Sequence, residues 1–135
     1  MYEFEIPGEI VGKARPRMNT YTGKAYTPTK TKNYEYQVKQ WFKFTHPGFE
    51  TILSSVRLTI LAYFEIPKST SKKKREQMLR NEIRPTKKPD IDNITKIILD
   101  ALNKFVYKDD TQVVSLIVDK YYAETPKVVV KIEEV

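Results

Sequence analysis

The stretch KKPDIDNITKIILDALNKFVYKDDTQV, residues 87–113, decides the architecture and poses the functional question. Its centre reads as an amphipathic helix from Asp92 to Lys104, with Ile94, Ile97, Ile98, Ala101, Leu102 and Phe105 on one stripe. Pro89 holds Asp90 outside that helix, and Asp92 is the expected N-cap. The same stretch gathers Asp90, Asp92, Asp100, Asp109 and Asp110, although the 135-residue chain carries a net charge of +7. A basic protein has thus placed two acids where a helix begins, two where the next strand begins, and one, Asp100, within the helix.

Moving outward from the helix, Gln112–Tyr122 and Lys127–Ile132 read as two strands joined around Pro126, the expected terminal hairpin. On the other side, IRPTKKP (83–89) is extended, and Ser69–Asn81 contains a short helix with a Ser or Thr cap. Val56–Ile66 alternates cleanly, with Val56, Leu58, Ile60, Ala62 and Phe64 on one face. Thr29–Thr45 is helical, with Tyr34, Val38, Trp41 and Thr45 on one face and Trp41 in the core. Ahead of it, a loop or hairpin centres on Thr22-Gly23, Tyr2–Ile6 is a strand, and Glu9–Gly12 is expected to form a second short strand. The mixture gives an α+β fold: one domain over residues 1–135, with helices packed on a mixed or antiparallel sheet.

Composition narrows the function. The chain has no cysteine and one histidine, which excludes disulfides, thiolate metal sites and histidine-rich zinc sites. His46, in THPGF, is expected at the surface. No long apolar run and no signal peptide are seen, which points to a soluble intracellular protein with no membrane partner. The excess of lysine and arginine lies outside the acidic stretch, and a basic body favours a polyanionic partner.

The acids are explicable as caps and turns one at a time, but less well as a set. Asp90 and Asp92 share a direction if the segment is extended. Two carboxylates about 4 Å apart repel by roughly 4 kcal/mol at an effective dielectric near 20. A divalent cation relieves that repulsion, and carboxylate oxygens suit Mg²⁺. A reversal after Asn103 would bring Asp110, with Asp109 beside it, back to the helix start. Lys96, one turn in, would offset negative charge developing on a phosphate.

These residues resemble a family signature. The pattern D-x-D-N-x-x-K, then D-A-L, then D-D-x-Q, falls on Asp90, Asp92, Asn93 and Lys96; Asp100, Ala101 and Leu102; and Asp109, Asp110 and Gln112. It closely resembles the RusA family of Holliday-junction resolvases found in phages and prophages. GKARPR and YTPTKTKNYE are similar to the variant common in Gram-positive phages. The resemblance implies a homodimeric, Mg²⁺-dependent endonuclease, with Mn²⁺ a substitute, that nicks two opposed strands of a four-way DNA junction. It implies that Asp90, Asp92 and Asp110 are the essential acids and Lys96 the essential lysine. Asp109 is a further candidate metal ligand. Candidates for DNA-backbone contact are Lys13, Arg15, Arg17, Lys72, Lys73, Lys74, Arg75, Lys87 and Lys88. The alternatives are a DNA-binding module whose acids are caps and turns, a less selective Mg²⁺-dependent nuclease on branched DNA, and a phosphohydrolase of small phosphate compounds. The basic body and the lack of a glycine-rich phosphate loop disfavour the last.

Overall fold

In the computed structural model, which describes residues 1–14 and 16–135, alternation along one strand sets the centre of the sheet. Val56, Leu58, Ile60, Ala62 and Phe64 are buried, while Arg57, Thr59, Leu61 and Tyr63 face the other side and are half-exposed. The elements in chain order are β1 (Tyr2–Pro7), β2 (Arg17–Met18), β3 (Ala25–Tyr26), α1 (Thr29–Thr45), β4 (Val56–Glu65), α2 (Lys72–Leu79), α3 (Ile91–Leu102), β5 (Val113–Ala123) and β6 (Lys127–Glu134). A single 3₁₀ turn at Asp110–Gln112 leads into β5. The result is an α+β domain with a mixed four-stranded sheet.

The sheet order is β1-β6-β4-β5. β6 runs antiparallel to both β1 and β4, and β4 runs parallel to β5. This corrects the expected terminal hairpin: β5 and β6 are consecutive and opposed in direction, but β4 lies between them. The reason is packing. β6 buries Val128, Val129, Val130 and Ile132 on both faces and belongs inside the sheet. β5 leaves Val114, Leu116 and Ile117 exposed and takes an edge. The crossover from β4 to β5 runs through α2 and α3, which a parallel connection requires.

The helices cover one face, α1 over β1 and α3, α3 over β5. In α1 the buried stripe is Thr31, Tyr34, Val38 and Phe42 rather than the expected Tyr34, Val38, Trp41 and Thr45. Four-residue steps from Tyr34 lead to Phe42, whose ring meets those of Tyr2, Phe4, Phe49 and Phe105 edge-on. Trp41 falls one position off the stripe and is 37% exposed. His46 is half-buried, not a free surface residue: its Nε2 lies 2.9 Å from the Glu3 carbonyl and its ring packs on Tyr2 and Phe42.

The hairpin expected at Thr22-Gly23 forms between β2 and β3. Asn19 Oδ1 accepts from the Tyr21 and Thr22 amides, and Gly23 takes φ +68°. Ser71 caps α2 by accepting from the Lys74 amide. Glu9–Gly12 forms no strand. It runs irregularly beside the start of α3, with Ile10 buried and the Lys13 amide donating to the Asn93 carbonyl. Among the described residues no helix is long and apolar enough to cross a membrane.

Candidate active site

α3 organises the acids. It starts at Ile91, one residue earlier than expected, because Asp90 rather than Asp92 is the N-cap. Asp90 is extended after Pro89, its Oδ1 accepts from the Asn93 amide at 3.0 Å, and its carbonyl accepts from the Ile94 amide. An Asp with a free preceding segment fits that role, and capping of this kind is worth about 1 kcal/mol. Asp92 then lies in the first turn. Both carboxylates sit at the positive end of the helix dipole, which favours anions there. They share this end because the helix begins between them, not because the segment is extended through both.

The N-terminal segment buttresses this end. A Cβ at Gly12 would lie 2.6 Å from the Pro89 Cβ, so the chain passes closely behind the residue that sets Asp90. The two segments and the start of α1 enclose a cleft of about 670 Å³, whose rim includes Arg17, Lys30, Lys88 and Asp90. α1 opens on this cleft after Pro28 with no side-chain cap and no acid in its first turn. Lys120, on the helix side of β5, comes to the same end and donates to the Lys87 carbonyl at 2.5 Å. Burial lowers its pKa, a shift the nearby Asp90 opposes and Lys87 reinforces.

The other end of α3 holds the second acidic pair. Asn103 ends the helix, and its Oδ1 accepts from the Asp110 amide at 3.1 Å. Tyr107, fully buried, donates its hydroxyl to the Leu99 carbonyl; burial and then the charges of Asp110, Asp100 and Asp109 raise its pKa. Asp109 shapes the turn: its amide donates to Gln112 Oε1, and its Oδ2 accepts from Thr111. Gln112 Nε2 donates to the carbonyls of Ile52 and Ser54, fastening the turn beneath the start of β4. The D-D-x-Q spacing therefore has a structural content that the sequence did not disclose.

Thirteen residues of helical rise separate Asp90 from Asn103, about 20 Å. The chain does not reverse past Asn103 to return Asp110 to the helix start. Within one chain, Asp110 stands at the far end of α3 from Asp90 and Asp92, which overturns the expected convergence. Among the described residues, no three acidic, histidine or cysteine side chains form a group that could hold a metal ion.

The remaining candidates separate into two groups. Lys96 is exposed, one turn past Asp92, and forms no ion pair among the described residues. Lys88, Arg17, Lys72, Lys73 and Lys74 are likewise exposed. Lys13 is not. Its Nζ lies 2.6 Å from Glu35 and 3.2 Å from Asp100, tying the N-terminal segment to α1 and α3. Burial alone would lower its pKa, but the two carboxylates outweigh it and the net shift is upward. Asp100 is accordingly an ion-pair partner on the side of α3 that faces α1. Lys87 pairs with Glu9, and Arg75 with Glu124. Arg15 lies outside the described residues. Gly12, Asn103 and Lys120 were missed by sequence reasoning. Only Lys120 carried a signal, as a lone charge on the otherwise apolar side of a strand.

The family profile described as endodeoxyribonuclease RusA matches residues 7–133. The chain belongs to the RusA endodeoxyribonuclease family. The RusA match takes in every element from the end of β1 nearly to the end of β6. An uncharacterised protein of Bacillus subtilis (strain 168), YqaN, is 42% identical, the alignment covering 98% of this chain and 96% of that protein. The RusA assignment makes an endodeoxyribonuclease of this fold, with its acids grouped at the two ends of α3.

Proposed function

We propose that this protein is a Mg²⁺-dependent, structure-selective endodeoxyribonuclease that resolves four-way DNA junctions by paired, symmetric nicks, acting as a homodimer in the bacterial cytoplasm, with a phage or prophage origin. The observation that carries the reading is the pairing of Asp90 and Asp92 at the start of α3 beside a basic cleft, in a chain of this family.

The donor set suits the ion. Mg²⁺ is commonly held by one or two carboxylates, waters and substrate phosphates rather than by a full protein cage. Asp90 commits one oxygen to its cap and keeps the other, and the side chain of Asp92 is exposed. When bound, such an ion would polarise the scissile phosphate and acidify an attacking water. Mn²⁺ would substitute. Lys96 offsets negative charge on the phosphate, and Lys88, Arg17 and Lys30 hold the flanking backbone along the cleft. Asp110 joins Asp90 and Asp92 only from a second copy of the chain, since its own copy keeps it about 20 Å away. A two-fold dimer also matches a two-fold junction that needs two equivalent cuts. Recognition rests on phosphate placement and junction shape, because the sequence carries no recognisable base-reading motif.

Asp92→Asn should abolish cutting of a synthetic four-way junction in Mg²⁺ while leaving junction binding intact or tighter, because a negative charge beside phosphate is lost. Gel analysis of cleavage and band-shift titration together check this. Cleavage at the wild-type rate would remove Asp92 from the chemistry. Binding without cutting by the wild-type protein, in Mg²⁺ and Mn²⁺ alike, would favour the DNA-binding module whose acids are caps and turns.

A further inference from the structure

Between Glu9 and Glu35 the chain carries Lys13, Arg15, Arg17, Lys24, Lys30 and Lys32 and no acid. In the middle of that run, β2, β3 and the turn between them form a two-stranded sheet of their own, apart from the four-stranded one. Every residue from Pro16 to Tyr26 is exposed, so no apolar side chain of the hairpin serves the core. Yet the hairpin carries Met18 (68% exposed), Tyr21 (97%) and Tyr26 (47%), which line one shallow hollow with Asn19 and Thr20. The tip is fixed in spite of its exposure. The Asn19 amide donates to the Lys24 carbonyl, the Gly23 amide donates to the Asn19 carbonyl, and Asn19 Oδ1 accepts from the amides of Tyr21 and Thr22. Tyr21 is thus held in water at the end of a closed turn, where its ring gains no burial from its own chain.

We propose that Tyr21 stacks on a base face left open at a branch point of DNA, while the basic flanks of its hairpin hold the adjoining phosphates. Charge selects the occupant. Arg17, Lys24, Lys30 and Lys32 are exposed and form no ion pair among the described residues, so they favour a polyanion. An aromatic ring among such cations is the combination that binds unpaired nucleotides, because every base offers a π-face whatever its identity. Position agrees with charge. Arg17, at the foot of the hairpin, and Lys30 lie on the rim of the cleft that Asp90 lines. From Arg17 to Tyr21 the chain reaches at most about 14 Å, or roughly four base steps of about 3.4 Å. DNA whose backbone enters the cleft therefore meets the tip within a few nucleotides. An intact duplex hides its base faces in the stack, whereas a junction opens them where its arms part. Tyr21 accordingly reads the branch rather than the sequence, and a turn already formed loses little freedom on binding.

This inference rests on the proposed function for its branched substrate, but stacking can be tested apart from it. In Mg²⁺-free buffer, Tyr21→Ala should weaken binding to a synthetic four-way junction about 5- to 100-fold, the loss expected for one stacked aromatic. Its binding to linear duplex should be nearly unchanged, and so should its urea midpoint, since the side chain is solvated. Tyr21→Phe keeps the ring and should bind the junction as the wild type does. Tyr21→Trp gives a direct readout: its fluorescence should be quenched by the junction and by a single-stranded oligonucleotide, and less by linear duplex. The wild-type protein, whose one tryptophan is Trp41, supplies the background. Wild-type junction binding by Tyr21→Ala overturns the proposal, as does the absence of added quenching in Tyr21→Trp. Equal losses on junction and duplex would make the hairpin a plain phosphate contact and overturn it too. So would a change in mass by light scattering with DNA binding unaltered, which would mark a protein contact. If the wild-type protein neither prefers nor cuts junctions while single-stranded DNA still quenches Tyr21→Trp, the proposed function falls and the stacking role stands.

Discussion

At the scale of single residues, the start of α3 depends on a contact rather than on a catalytic group. Gly12 is needed because Pro89 occupies the space a Cβ would fill, at 2.6 Å, and both belong to backbone-bound segments that cannot easily part. Gly12→Ala should therefore shift Pro89 and with it the Asp90 cap. We expect a loss of about 1–3 kcal/mol, as overpacking typically costs, and a fall in junction cutting greater than the fall in junction binding. Urea unfolding together with cleavage and binding assays on the same preparation would show it. Equal losses in cutting and binding would mean that the whole cleft moved rather than the acidic end. The i, i+2 spacing of Asp90 and Asp92 was legible in the sequence. Which of them is the cap was not, because either aspartate satisfies the local rule and the choice falls to the segment packed behind Pro89.

At the scale of elements, α2 shows how far a charge run can be read. Its cap at Ser71 follows from local sequence, and it rests on the fold through Met78, with Arg75 drawn to Glu124. Among the described residues Lys72, Lys73 and Lys74 are exposed and form no ion pair, so they suit a phosphate backbone. Changing all three to Ala should weaken junction binding and reduce the slope of log K against log salt by up to about 3, near one unit for each phosphate that a lysine no longer neutralises. Band shifts across a salt series measure this. An unchanged slope would return the run to a solvated face. Lys13 teaches the opposite lesson. In sequence it is one more base in GKARPR, yet its charge is spent inside the protein on Glu35 and Asp100. Partners 22 and 87 residues away are invisible to any local pattern.

At the scale of the whole molecule, the buried phenols and Lys13 couple stability to alkaline pH. Burial raises the pKa values of Tyr34 and Tyr107, and its two carboxylates raise that of Lys13. Each group binds its proton more tightly folded than unfolded, so its contribution is fully present below about pH 10, near the unfolded tyrosine value, and is lost as pH rises through the folded values. Lys120, lowered by burial, acts in the opposite sense. The urea midpoint should therefore stay level between about pH 7 and 9 and fall above about pH 10. Tyr34→Phe should lessen that fall. It should also hold or raise the neutral-pH midpoint, because the Tyr34 hydroxyl is buried without a partner among the described residues. A steeper alkaline decline in the Phe variant would remove Tyr34 as a source.

The sequence by itself determined the local content of this protein: the alternation of β4, the stripe of α3, the cap of α2, and the family signature with its acids and lysine. Each of these depends on residues within a turn or two of one another, where spacing dictates direction. Only the tertiary structure decided that β4 separates β5 from β6, that Phe42 rather than Trp41 closes the aromatic core, and that Asp110 stands a helix length from Asp90 and Asp92. Those outcomes follow from which faces can be buried together across the whole sheet. Burial is a competition among distant segments that no short stretch of sequence can express.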